Sequence, residues 1–128
     1  MYTSAFDEMA EVESAPDSAD TRHCWHLYAI RLNLGRLRSD RAEFVAELKR
    51  RGVGASVHFI PIPLHPAFRE LADRPENACP KALELYPRLI SLPLYPGMTE
   101  EQVLRVIEAV KDVARQERSA KTVGFAMA

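Results

Sequence analysis

The clearest period in the chain runs from Thr99 to Val113. Val103, Val106, Ile107, Val110 and Val113 recur there at helical spacing, with charged and polar residues between them. Thr99 with Gln102 three residues on reads as a capping box, and Met98 and Val103 can staple the helix entry. A stripe of this kind predicts a helix packed on a sheet. A second helix is predicted from Asp40, with Glu43 completing its capping box and Phe44, Val45 and Leu48 on its apolar face. Gly52 sits just past its end, where glycine enters the left-handed region freely. A third is predicted from Pro80, whose imide suits a first turn, placing Ala82, Leu85, Tyr86 and Leu89 on one side.

Period-two patterns separate these helices. From Cys24 to Leu34 the chain is strand-like, with Ile30, Leu32 and Leu34 alternating against Arg31 and Asn33. Its first half is apolar on both faces, as a central strand requires. Ala55 to Ile60 predicts a second strand, with Ala55, Val57 and Phe59 on one face and Ser56, His58 and Ile60 on the other. Ser91 to Leu94 predicts a short third one, which Pro93 restricts to an edge or an end. Tyr95-Pro96-Gly97 turns the chain into the last helix. Pro66 to Leu71 can form a turn or two, and Asp73 to Asn77 reads as loop.

Residues 1–22 have no sustained apolar period. They read as a connecting segment, partly disordered, in which Tyr2, Phe6 and Met9 are the buriable side chains, suited to the last turn of a helix that begins earlier. Residues 23–118 then form the domain, and 119–128 a loose tail. The order strand, helix, strand, helices, short strand, helix predicts an α+β two-layer sandwich. A short, mainly antiparallel sheet carries helices on one face and leaves its other face in need of a partner.

Composition narrows the function classes. The 128 residues are 47% hydrophobic and 27% charged, with a net charge of −1, and the cations are interleaved with acids, so no nucleic-acid footprint is expected. The run Lys49-Arg50-Arg51 closes a predicted helix, where cations complement the dipole. Two cysteines, Cys24 and Cys79, make no disulfide framework, and neither a signal peptide nor a membrane span is legible; a cytoplasmic protein is expected.

The stretch most loaded with chemistry is Gly52 to Pro66. A short apolar segment carries His58 and then meets Pro61, Pro63 and Pro66, which fix their own φ and hold the preceding residues extended. The result is a stiff shelf that presents His58 and His65 with little further loss of entropy on binding. Its bland reading is a proline-rich connection with His58 packed at a sheet edge. His23, Cys24 and His26 invite a metal reading, but on a strand His23 points away from the other two and no second ligand pair follows at metal spacing. A packed histidine and no metal is the expectation. A cysteine nucleophile served by His26 or His58 would need a thiolate-stabilising pocket that the sequence does not show.

Trp25-His26-Leu27-Tyr28 with Ile30-Arg31-Leu32, then Gly52 to Pro61, then Ser91-Leu92-Pro93-Leu94 before the last helix, form an ordered set across about residues 22–115. Together they resemble the C-terminal small domain of the DegT/DnrJ/StrS sugar-nucleotide aminotransferases, pyridoxal-phosphate enzymes of aminotransferase fold type I. Tyr2 and Phe6 resemble the linker ahead of that domain. The resemblance implies amino transfer from an amino acid such as glutamate to a keto-sugar nucleotide, for polysaccharide or antibiotic sugar biosynthesis. It also implies a homodimer. His58 and Phe59 hold the position of the family's His-Tyr or His-Phe pair, which reaches the active site, often that of the neighbouring subunit, and contacts the sugar nucleotide. Relatives often carry a second histidine where Pro63 stands here, which leaves His65 as the nearest imidazole for a substrate-binding role.

The family reaction needs a lysine for the imine link to the cofactor, an acid for the pyridinium nitrogen and a cup of donors for the phosphate. Lys49, Lys81 and Lys111 fall on polar helix faces, Lys121 falls in the tail, and no glycine-rich anion loop is present. The expectation is therefore a fragment, inactive alone, with no catalytic or cofactor-binding residue of its own. The large pyridoxal-phosphate domain would lie upstream or on a separate chain. The contrasting expectation is a free-standing α+β binding or interaction module without catalysis. An exposed apolar patch around Trp25, Leu27 and Phe59 would favour the former.

Overall fold

Asp40 and Thr99 start the two main helices with complete capping boxes. Asp40 Oδ1 accepts from the Glu43 N–H at 2.9 Å while Glu43 Oε2 accepts from the Asp40 N–H at 2.9 Å. Thr99 and Gln102 exchange the equivalent bonds at 3.3 and 2.9 Å. A computed structural model describes residues 1–16, 19–71 and 79–119. Its helices are α1 (Tyr2–Phe6), α2 (Arg41–Arg50), α3 (Pro80–Leu85) and α4 (Glu100–Gln116), and its strands are β1 (Val12–Ser14), β2 (Tyr28–Leu32) and β3 (Leu89–Leu92). Short 3-10 turns occupy Ile62–Leu64, Pro66–Leu71 and Tyr86–Arg88.

The sheet is antiparallel throughout, in the order β1-β2-β3. Its register puts Val12 opposite Leu32, Ile30 opposite Ile90 and Tyr28 opposite Leu92, so these six residues share one face. Phe44 and Leu48 of α2, Val106, Ile107, Val110 and Val113 of α4, and Tyr2 and Phe6 of α1 complete a single buried core with them. Each of these side chains contributes on the order of 1.5–3 kcal/mol, set against the entropy of ordering it. The fold is an α+β sandwich, and β2 is its central strand. On the opposite face, Glu13, Arg31 and Leu89 form one row and Ala29 and Ser91 the next.

The helix that begins at Asp40 ends in a Schellman motif. Gly52, at φ +76°, donates to Lys49 O at 2.9 Å, and Val53 donates to Leu48 O at 3.0 Å. This turn sends the chain back across the end of the sheet towards Ser56.

Five sequence expectations are corrected. First, the presumed connecting segment supplies strand β1, extended by the Asn33 N–H donating to Glu11 O at 2.8 Å. Second, Cys24 to Leu27 is not strand: Trp25 lies at φ +44°, in the left-handed region, and interrupts the extended chain ahead of Tyr28. Third, among the described residues Ala55 to Ile60 makes only one bridge, Ser56 with Ser91, and forms no strand of its own. Fourth, the last strand begins at Leu89 rather than Ser91, and Pro93 follows its end. The helix from Pro80 also ends earlier than its apolar side implies, passing into a 3-10 turn at Tyr86.

The end of α4 is tied back to the turn after β2. Arg38 N–H donates to Glu117 O at 2.7 Å and Ser119 N–H donates to Arg36 O at 2.8 Å. The Asp73–Asn77 loop and all of the predicted tail beyond Ser119 lie outside the described residues. Among the described residues no helix is long and apolar enough to cross a membrane.

Candidate functional site

Ser56 and Ser91 exchange backbone hydrogen bonds, Ser56 N–H to Ser91 O at 3.0 Å and Ser91 N–H to Ser56 O at 2.8 Å. This bridge is the attachment of the Gly54–Pro61 segment to the outer edge of β3, and it sets which way His58 faces. Residues i and i+2 of an extended segment share a side, so His58 falls beside Ser91, on the sheet face away from the helices. There His58 Nε2 lies 2.9 Å from Ser91 Oγ, with Ser91 buried and His58 half-buried. Phe59 points the other way and is 99% exposed. The predicted opposition of these two neighbours holds although the strand does not.

Beyond Phe59 the shelf turns rather than running straight. Ile62–Leu64 closes a 3-10 turn with Pro63 buried, while Ile60, Ile62 and Phe68 stay exposed. His65 is committed to this turn: its Nε2 lies 3.1 Å from Ile60 O, to which it donates, and its ring meets Phe68 edge-on at 6.4 Å. Among the described residues no hydrogen bond or ring contact joins His65 to His58. The apolar patch around Leu27 and Phe59 is exposed, while Trp25 packs on the core.

An open groove of about 540 Å³ shares Ser56 and Ser91 with the histidine site and continues past Leu27, Pro93 and Tyr95 to Arg105 on α4. Arg105 is the one cation among the described residues lining it, and its side chain is exposed. Sequence reasoning named neither Ser91 nor Arg105 as a site residue. Ser91 has no signal of its own until the sheet register sets it against Ser56.

The His23, Cys24 and His26 group does not assemble. The Trp25 N–H donates to His23 Nδ1 at 2.9 Å, the His23 ring stacks on the indole at 4.0 Å, and Cys24 is exposed. Among the described residues no three metal-ligating side chains come together. The described lysines do not build a cofactor cup either. Lys49 is exposed on α2, Lys81 pairs with Glu84 at 3.0 Å on the surface of α3, and Lys111 lies half-buried beside Arg115 and Arg118. None of these three lysines stands with an acid and a set of anion donors in an enclosed site, so they do not fit a pyridoxal-phosphate site.

The ordered pattern of this fold recurs in known proteins. The chain is 37% identical over 118 residues to the uncharacterized protein MJ1066 of Methanocaldococcus jannaschii, covering 92% of this chain and 31% of that protein. It is 36% identical over 115 residues to the spore coat polysaccharide biosynthesis protein SpsC of Bacillus subtilis, covering 89% and 30%. The structure superposes on the protein named as sugar aminotransferase Spr1654 of Streptococcus pneumoniae, in its PLP form, with a TM-score of 0.77 and 29% identity, over 90% of this chain and 29% of that one. The chain thus spans about 30% of the length of the relatives it matches. A sequence model of the DegT/DnrJ/EryC1/StrS aminotransferases aligns with residues 1–111, a span that takes in the helical entry at Tyr2, the whole sheet, the His58 segment and most of α4. The chain therefore belongs to the DegT/DnrJ/EryC1/StrS aminotransferase family.

Proposed function

We propose that this chain is the C-terminal small-domain portion of a pyridoxal-phosphate-dependent sugar-nucleotide aminotransferase, active only together with a large domain that brings the lysine and the cofactor. The observation that carries the reading is the family match along residues 1–111 combined with a span of only about 30% of the relatives. The exposed apolar surface at Leu27, Phe59, Ile60 and Ile62 supports it, because a sheet edge and shelf of this kind serve better as a covered face than as the surface of a lone module.

In this reading the cofactor, when bound, supplies the electron sink for moving an amino group from an amino acid such as glutamate to a keto-sugar nucleotide. This chain contributes to substrate binding. His58 hydrogen-bonds a sugar hydroxyl or a diphosphate oxygen, Phe59 packs beside it, and His65 stiffens the shelf that carries both. The site is completed in a homodimer, with the shelf reaching the neighbouring subunit's active site.

The test is the intact mass of the native protein captured from its source cells with an antibody against this domain. A species several times heavier than 14.5 kDa, with the visible absorbance of pyridoxal phosphate, is the expected result. A species at 14.5 kDa that copurifies with no cofactor-bearing chain would overturn the proposal.

A further inference from the structure

Three hydrogen bonds converge on Ser91 from the segment that carries His58. Two are the backbone pair with Ser56, and the third is the side-chain bond between Ser91 Oγ and His58 Nε2. The segment makes no other bridge to the sheet among the described residues. Ser91 thus fixes both the backbone that delivers the imidazole and the imidazole itself.

The direction of the side-chain bond follows from burial. Ser91 is 6% exposed, and among the described residues its hydroxyl meets no acceptor other than His58 Nε2. If His58 donated, the Ser91 hydroxyl hydrogen would be left buried and unpartnered, which forfeits the full solvation of that donor. If Ser91 donates, its buried hydroxyl hydrogen is placed, and the remaining imidazole hydrogen lies on the half-buried His58 ring. The proton of neutral His58 then sits on Nδ1, which bonds no described residue. We infer that Ser91 is a positioning residue that holds His58 in its Nδ1-protonated tautomer, so that His58 presents an N–H donor, rather than a basic lone pair, to an oxygen of the ligand.

This inference rests on the proposed function for the ligand's identity but not for the tautomer. It selects ligands that offer oxygen acceptors, such as hydroxyl or phosphate oxygens. It also separates His58 from proton abstraction, because the nitrogen that could accept a proton is already engaged by the Ser91 hydroxyl.

The test is long-range proton–nitrogen correlation NMR on the 128-residue chain labelled with ¹⁵N-histidine, at mildly alkaline pH, about 8, where imidazoles are neutral. The resonances of His58 are assigned by their absence in a His58→Gln variant, against the other three of the chain's four histidines. The expected spectrum shows His58 dominantly protonated on Nδ1, shifting to a mixture richer in the Nε2-protonated form in Ser91→Ala. A wild-type His58 protonated on Nε2 overturns the inference without recourse to any variant. So does an Nδ1 form that survives Ser91→Ala unchanged. The tautomer is read without ligand, so a native chain found to live alone without a cofactor-bearing partner would sink the proposed function and leave this assignment standing.

Discussion

The carboxylate of Glu11, buried beside strand β1, receives the Nε of Arg118 at 2.6 Å, joining the first edge of the sheet to the end of α4. The partners differ in exposure: the Glu11 side chain is 4% exposed and that of Arg118 61%. Arg118→Ala leaves a buried carboxylate without its cation and is expected to lower unfolding free energy by about 1.5–2 kcal/mol, since Arg118 itself is well solvated. Glu11→Gln, which keeps an acceptor and sheds the charge, is expected to cost less. Urea denaturation of both variants checks the order.

Phe44 and Leu104 are both large, apolar and helical, but Phe44 is fully buried and Leu104 is 48% exposed. Phe44→Ala is expected to cost about 3–5 kcal/mol through lost burial and the cavity left behind, enough to unfold a domain of ordinary stability. Leu104→Ala should change stability by less than about 0.5 kcal/mol. Thermal unfolding followed by circular dichroism distinguishes them.

Tyr2 is buried between Phe6 and Tyr28, its hydroxyl donating to Pro93 O at 2.8 Å. Burial, with the neighbouring phenols of Tyr95 and Tyr28, pushes its pKa up to about 12. The folded-state value lies above that of the unfolded chain, so the stabilisation is fully present below about pH 10 and is lost as the unfolded state ionises up to about pH 12. The loss attributable to this group is on the order of 2–3 kcal/mol. Tyr2→Phe should therefore show a shallower alkaline decline in urea denaturation than wild type. An equal decline in both would refute the assignment.

Gly52 stands at φ +76° with open space around it, so an added methyl would meet no neighbour and only the backbone would be strained. Gly52→Ala is expected to cost about 1 kcal/mol. Because the same turn aims the chain at Ser56, hydrogen exchange at the Ser56 and Ser91 amides should quicken more than exchange within α4. Uniform quickening would mean that the turn acts only on global stability.

Helix starts were legible because a capping box is a local device: Asp40 with Glu43 and Thr99 with Gln102 need nothing beyond three residues of sequence. The central strand was legible from Ile30 and Leu32, whose alternation matches their burial. Strand β1 was not, because Val12-Glu13-Ser14 holds one apolar residue and becomes a strand through its pairing with β2. The opposite error befell Cys24 to Leu27 and Ala55 to Ile60, where apolar residues imitate a strand although the backbone turns at Trp25 and, among the described residues, only Ser56 of the second stretch pairs. For the site, alternation was enough to set His58 against Phe59. The partner that fixes His58 was hidden, since a serine in a four-residue strand has no pattern until the register is known.

The proline shelf bears on how this surface behaves among other chains. Phe59, Ile60 and Ile62 are exposed and apolar, the composition that in a plain edge strand would recruit further strands. Pro61 and Pro63 lack amide hydrogens, and the 3-10 turn at Ile62–Leu64 bends the backbone out of line. A neighbouring backbone therefore finds no continuous row of donors to pair with. The surface can be gripped by a partner shaped to its side chains, and it resists growing into a fibre.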